Sequence, residues 1–200
     1  LQYNEIKEKQ DELNTAIEQL NELNYELKKT NDQITDSLIY ASALQQMLLP
    51  FESQFKIHFP DSFILNQPKN IVSGDFAWIY ETAEDYYFAV ADCTGHGLAG
   101  ALVSIKGSSL LNNFMLLNPK AQPGEILNWL QRNWNPIRKT ESNNEDSLEI
   151  SLCRLNKKTL LLDYATTNQR FVVIDNTGTG HVYNNNMFCI LNIKNWHSVN

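Results

Sequence analysis

The chain has 200 residues, of which 42% are hydrophobic, enough for one domain with a core and an appendage. Its formal net charge of −7 argues against a nucleic-acid binder, which carries a basic face, and weakly against an anionic-membrane binder. Three cysteines, Cys93, Cys153 and Cys189, lie far apart with no C-x-x-C pair, so neither a zinc site nor a disulfide framework is signalled, and free thiols suit a reducing cytoplasm. No apolar run reaches the ~18 residues of a membrane span, and no signal peptide opens the chain. The first residue is Leu1, not Met, which predicts a piece of a longer protein.

From Tyr3 to Leu38 a heptad repeat holds. With Tyr3 at position a, the d positions are Ile6, Leu13, Leu20, Leu27, Ile34 and Ala41, and Asn24 and Asn31 fall at a. Leu at d with Asn at a favours a parallel two-stranded coil and fixes its register. No Pro or Gly intervenes before Pro50, so one helix roughly 70 Å long is predicted over residues 1–49. The other reading is a single long helix lying on its own domain; the narrow apolar stripe and the Glu, Lys, Gln and Asn around it favour self-association. Residues 50–200 are assigned to one globular domain.

After Pro50 the period changes. Phe55, Ile57 and Phe59 alternate, as do Phe63 and Leu65, which predicts short strands. Val72–Tyr80 and Tyr86–Ala91 flank a turn-like ETAED and predict a hairpin. Leu98–Leu117 reads as a helix stopped by Asn118-Pro119, and Pro123-Gly124 opens a second helix to about Trp134. Lys139–Asp146 is a polar loop, Leu148–Leu155 and Thr159–Ala165 a second hairpin, and Phe171–Asp175 a strand turned by Asn176-Thr177-Gly178. Strands, two helices, then strands again indicate an α+β sandwich with helices grouped on a sheet face.

Two short motifs carry the chemistry. Asp75 follows Gly74 at the end of IVSGD, and Asp92 ends an apolar strand before Cys93-Thr94-Gly95-His96-Gly97. Two acids from adjacent hairpin strands repel when bare, and one pKa rises. A hard divalent cation resolves this, because Mg²⁺ and Mn²⁺ prefer oxygen ligands. The glycine turn lets backbone approach an ion and leads into a helix N-terminus. Taken singly, either acid is more often a turn residue or helix cap than a metal ligand. His58, His181 and His197 are scattered without metal spacing. Ser108-Ser109 has no partner pattern, and Thr177-Gly178-Thr179-Gly180 lacks the Lys of a phosphate loop.

LQQMLLP, PKNIVSGDFAW, AVADCTGHGLAGALVS and LLNN together resemble the SpoIIE-type branch of the metal-dependent protein serine/threonine phosphatases, the PPM family. The likeness runs from about Leu38 to Ile174 and is most specific over residues 68–112. The resemblance implies an αββα sandwich with two Mn²⁺ or Mg²⁺ ions and an in-line attack by water on phosphoserine or phosphothreonine. Asp75 and Asp92 match the first acidic metal ligands, Cys93 a position that ligates through its backbone carbonyl, and His96 the histidine of a G-H-G turn that positions. Gly74, Gly95 and Gly97 belong to the same substrate-side turns, and Gly97, Gly100 and Ala101 match sites where the next helix packs closely. The resemblance also implies a cytoplasmic output domain, a phosphorylated regulator such as an anti-sigma-factor antagonist as partner, and a helical linker whose rotation orders the metal site.

Four departures from the family pattern stand out. Asn70 replaces an Asp and Gln67 a basic residue. D-G-M-D becomes Asp146-Ser147-Leu148-Glu149. A-G-A-N becomes Ala165-Thr166-Thr167-Asn168. No Asp or Glu follows Asp175, where the family places a further metal ligand in an S-D-G-like turn. The sequence therefore predicts one of two things: a phosphatase fragment incomplete at its C-terminus, or a noncatalytic relative serving as a coiled-coil dimer and partner-binding module.

Overall fold

The computed structural model describes residues 2–50, 52–68, 70–95, 97–134, 147–175, 177–184 and 189–192. The expected loop at 139–146, with Asp146, and also His96 and His197, lie outside the described residues. The chain divides into two compact units, Leu1–Tyr40 and Ala41–Asn200.

The first unit is helix. α1 spans Gln2–Leu48 without a break, as the absence of Pro and Gly requires. Its d-position residues Ile6, Leu13, Leu20, Leu27 and Ile34 are each between 54% and 65% exposed. The last turns of α1, residues 41–48, belong to the second unit.

The second unit is α+β. After α2 (Glu52–His58) come β1 (Phe76–Glu81), β2 (Asp85–Cys93), α3 (Leu98–Leu117), α4 (Pro123–Asn133), β3 (Leu148–Asn156), β4 (Leu161–Thr166), β5 (Arg170–Ile174), β6 (Gly180–Asn184) and β7 (Cys189–Asn192). Strands β1-β2-β3-β4-β7 form one antiparallel sheet, and β5-β6 form a separate two-stranded ribbon. Alternate residues of β2, namely Tyr87, Ala89, Ala91 and Cys93, are buried in one core with Phe76, Trp78, Ile150 and Leu152 from the neighbouring strands and with Leu111, Met115, Ile126 and Leu130 from α3 and α4. The period-2 pattern thus selects the helix-covered face. Trp78 Nε1 donates to Asn112 Oδ1 at 2.8 Å, and Tyr87 Oη donates to the Ala121 carbonyl at 3.0 Å, so both buried aromatics have a partner for their polar end. Pro123 opens α4, where the Glu125 carboxylate accepts the Gln122 N–H at 2.8 Å. At the other end of the sheet Asp85, fully buried, accepts from Arg154 Nη2 and Asn156 Nδ2, each at 2.9 Å, and pins the β1–β2 turn to β3.

Three sequence expectations are corrected. Residues 55–59 are not a strand. Glu52–His58 is a helix in which Phe55 is buried, Ile57 is exposed and the Phe59 N–H reaches the Phe55 carbonyl at 2.7 Å. Phe55 and Phe59 are four apart, so the short apolar run fits period 3.6 as well as period 2. Phe63 and Leu65 lie in irregular chain and are exposed. The hairpin strand expected from Val72 begins only at Phe76, because the backbone of Ser73 bonds to a side chain rather than to a strand. β6 and β7 were not foreseen.

Candidate metal centre

The register of the first hairpin sets the geometry. Phe76 is opposite Ala91, and both turn into the core. The residues just outside that pair are Asp75 and Asp92, which meet at the sheet end on the solvent side and are both exposed. Partial desolvation of the carboxyl beside the core and then the Asp92 charge, with a hydrogen bond between the two carboxyls, push the Asp75 pKa above the ordinary aspartate value. Structure and sequence expectation agree that these two acids face each other.

Two turns hold them. In the first, the Asp75 N–H donates to Ser73 Oγ at 3.1 Å. In the second, Thr94 and Ser147 tie the turn after β2 to the start of β3: the Thr94 N–H donates to the Ser147 carbonyl at 3.0 Å, and the Ser147 N–H to Thr94 Oγ1 at 2.7 Å. Gly95 has φ +99°, in the left-handed region. The two turns and α3 interlock through glycine. A Cβ at Gly100 would lie 2.7 Å from the Gly95 carbonyl oxygen, and one at Gly74 would lie 3.0 Å from the Cys93 carbonyl oxygen. Gly97 caps the start of α3 with φ 62°. The Cys93 thiol is buried and its pKa is pushed up to about 12 by burial first and then by Asp92 and Asp75, so the thiol is inert at neutral pH.

The donor chemistry fits one hard divalent cation between Asp75 and Asp92, whose mutual repulsion it would relieve. Among the described residues no group of three His, Cys, Asp or Glu is placed to hold a metal. Glu149 is the register partner of Asp92 on β3, and its Oε1 accepts from Asn168 Nδ2 at 3.2 Å. Both lie in the segments where the sequence departs from the family pattern. Sequence reasoning also gave no role to the side chains of Gln45, Ser73, Thr94, Ser104 and Ser147. The only signal for Gln45 was its place in LQQMLLP.

An antiparallel sheet with two helices packed on one face and a separate two-stranded ribbon is a PP2C-like fold. The chain belongs to the SpoIIE family: the model for Stage II sporulation protein E matches residues 82–186, more than half of the chain and including Asp92. Its fold is that of the SiaA-PP2C domain of Pseudomonas aeruginosa, with a TM-score of 0.68 at 23% identity over 81% of this chain and 67% of that one. The RsbU and RsbW domains of a Mycobacterium tuberculosis protein superpose with a TM-score of 0.50 at 14% identity, over 62% of this chain and 37% of theirs. No curated protein sequence matches the chain.

Proposed function

We propose that residues 41–200 are the phosphatase unit of a bacterial signalling protein, hydrolysing phosphoserine or phosphothreonine on a partner regulator. The observation that carries this reading is the Asp75–Asp92 pair, two carboxyls pressed together at the exposed end of a hairpin in a SpoIIE-family fold. Asp75 and Asp92 would hold Mn²⁺ or Mg²⁺, with the Cys93 carbonyl as a further oxygen. A cation held there would supply Lewis-acid charge for phosphoryl transfer to water. The protein's own part is positioning: the glycine contacts hold both acid-bearing turns against the start of α3, where backbone N–H groups favour an anion. The partner is a phosphorylated protein of the anti-sigma-factor-antagonist kind, the setting is the cytoplasm, and the exposed d-position seam of α1 pairs with a second copy in parallel.

A second reading, a noncatalytic partner-binding module, is favoured by one observation: no third acid or histidine joins the pair among the described residues. Calorimetric titration with Mn²⁺, alongside turnover of a phosphopeptide, separates the two. The phosphatase reading expects binding and turnover in the wild-type chain, and loss of both, turnover by at least about 100-fold, in the Asp75→Asn/Asp92→Asn double variant. A folded wild-type chain that binds no Mn²⁺ overturns it in favour of the second reading.

A further inference from the structure

We propose that Gln45, at the end of α1, is a positioning residue that clamps the Ser73-Gly74-Asp75 turn in its ligand-holding form. Its primary amide makes three hydrogen bonds. Oε1 accepts the Ser73 N–H at 3.2 Å, and Nε2 donates to the Ser73 carbonyl at 2.5 Å and to Ser104 Oγ on α3 at 2.7 Å. All three residues are buried, Ser104 completely. A side-chain amide that bonds both the N–H and the C=O of one residue does what a neighbouring strand does in a ladder. Ser73 therefore stays out of β1 without leaving buried backbone groups unpaired. The clamp passes to the acid in one step, because Ser73 Oγ accepts the N–H of Asp75 itself. Ser104 closes the triangle by donating to the Ala101 carbonyl at 2.8 Å, so the end of α1, the turn and the first turns of α3 share one network.

The arrangement constrains Asp75 more than apolar packing would. A leucine at position 45 fills similar space but leaves the buried Ser73 N–H without its partner and the Ser73 C=O with only the long contact from Ser104 Oγ at 3.5 Å, so the turn must move to hydrate them. A cavity of about 300 Å³ lined by Ser42, Gln45, Gln46, Ser73 and Asp75 gives it room to do so. The clamp itself is independent of what the protein does; its effect on metal affinity rests on the phosphatase reading above.

Amide hydrogen exchange by NMR on the metal-free full chain, followed by Mn²⁺ titration, tests both. In the wild type the Ser73 amide exchanges slowly although it lies outside any strand. In Gln45→Leu its exchange rises at least about tenfold while the amides of β2 are unchanged. Mn²⁺ affinity falls about tenfold or more, the usual effect of losing a group that orients a metal ligand. Leu49→Ala, which trims a side chain packed on the same core, lowers the melting temperature but not the affinity. If Gln45→Leu does not fold, Gln45→Glu, which keeps an acceptor and loses both donors, is read the same way. A Ser73 amide that exchanges freely in the wild type, or stays equally protected in the variant, overturns the clamp. An affinity loss no larger than that of Leu49→Ala overturns the positioning role. If the wild type binds no Mn²⁺, the phosphatase reading and the positioning role fail together, and Ser73 exchange alone decides whether the clamp exists.

Discussion

Asp75 carries the electrostatic strain of the site. Burial and the neighbouring Asp92 charge both disfavour its anion, so its pKa in the fold lies above the ordinary 3.8. The sign follows from linkage. A raised folded pKa gives a stabilising contribution that is fully present below 3.8 and lost as pH rises through the folded value. Above the folded value the metal-free chain has lost that contribution. Asp75→Asn should therefore raise its melting temperature at pH 7, by a free energy under about 1 kcal/mol because the pair is solvent-screened. Scanning calorimetry across pH should show the gain shrinking in acid, where Asp75 is protonated; an Asn variant no more stable than the wild type at pH 7 would mean the two charges do not repel. The acids themselves were legible in the sequence because SGDF and DCTGHG put each carboxylate beside glycine at a strand end. Gln45, Ser73 and Ser104 were not, since Gln and Ser are common polar residues whose meaning depends on what folds over them.

Among the elements, the contact between α3 and the two acid-bearing turns is the least tolerant of change. Gly100 lies against backbone, not against a movable side chain, and a Cβ there would sit 2.7 Å from the Gly95 carbonyl oxygen. Gly100→Ala should cost about 1–3 kcal/mol in urea unfolding, as overpacking does, and should weaken Mn²⁺ binding because the turn after Asp92 must shift. Unchanged stability would show that the turn yields freely. The long periodic elements β2, α3, α4, β3 and β4 were readable from hydrophobic pattern and from Pro and Gly stops. α2 was misread because a seven-residue helix offers too few apolar positions to separate period 3.6 from period 2. β7 could not be placed by pattern: its position beside β4, rather than beside β6 which precedes it, is a long-range pairing that local sequence does not encode.

At the scale of the molecule, the seam of α1 predicts the assembly. Replacing Leu20 and Leu27 with Asp puts charge at two d positions and should convert a dimer to a monomer in sedimentation velocity, while the melting of the Ala41–Asn200 unit stays within about 0.5 kcal/mol of the wild type, since both positions belong to the other unit and are exposed. A wild-type chain that sediments as a monomer would refute the coil. By itself the sequence determined the helix, its heptad register, the α+β class and the two aspartates, because periodicity, Gly and Pro act locally and each motif is contiguous. Tertiary structure alone decided that Glu149 stands beside Asp92 on the next strand and that an amide from the end of α1 reaches across to hold Ser73. Those pairings join residues 57 and 28 positions apart, and only strand register and core packing make them neighbours.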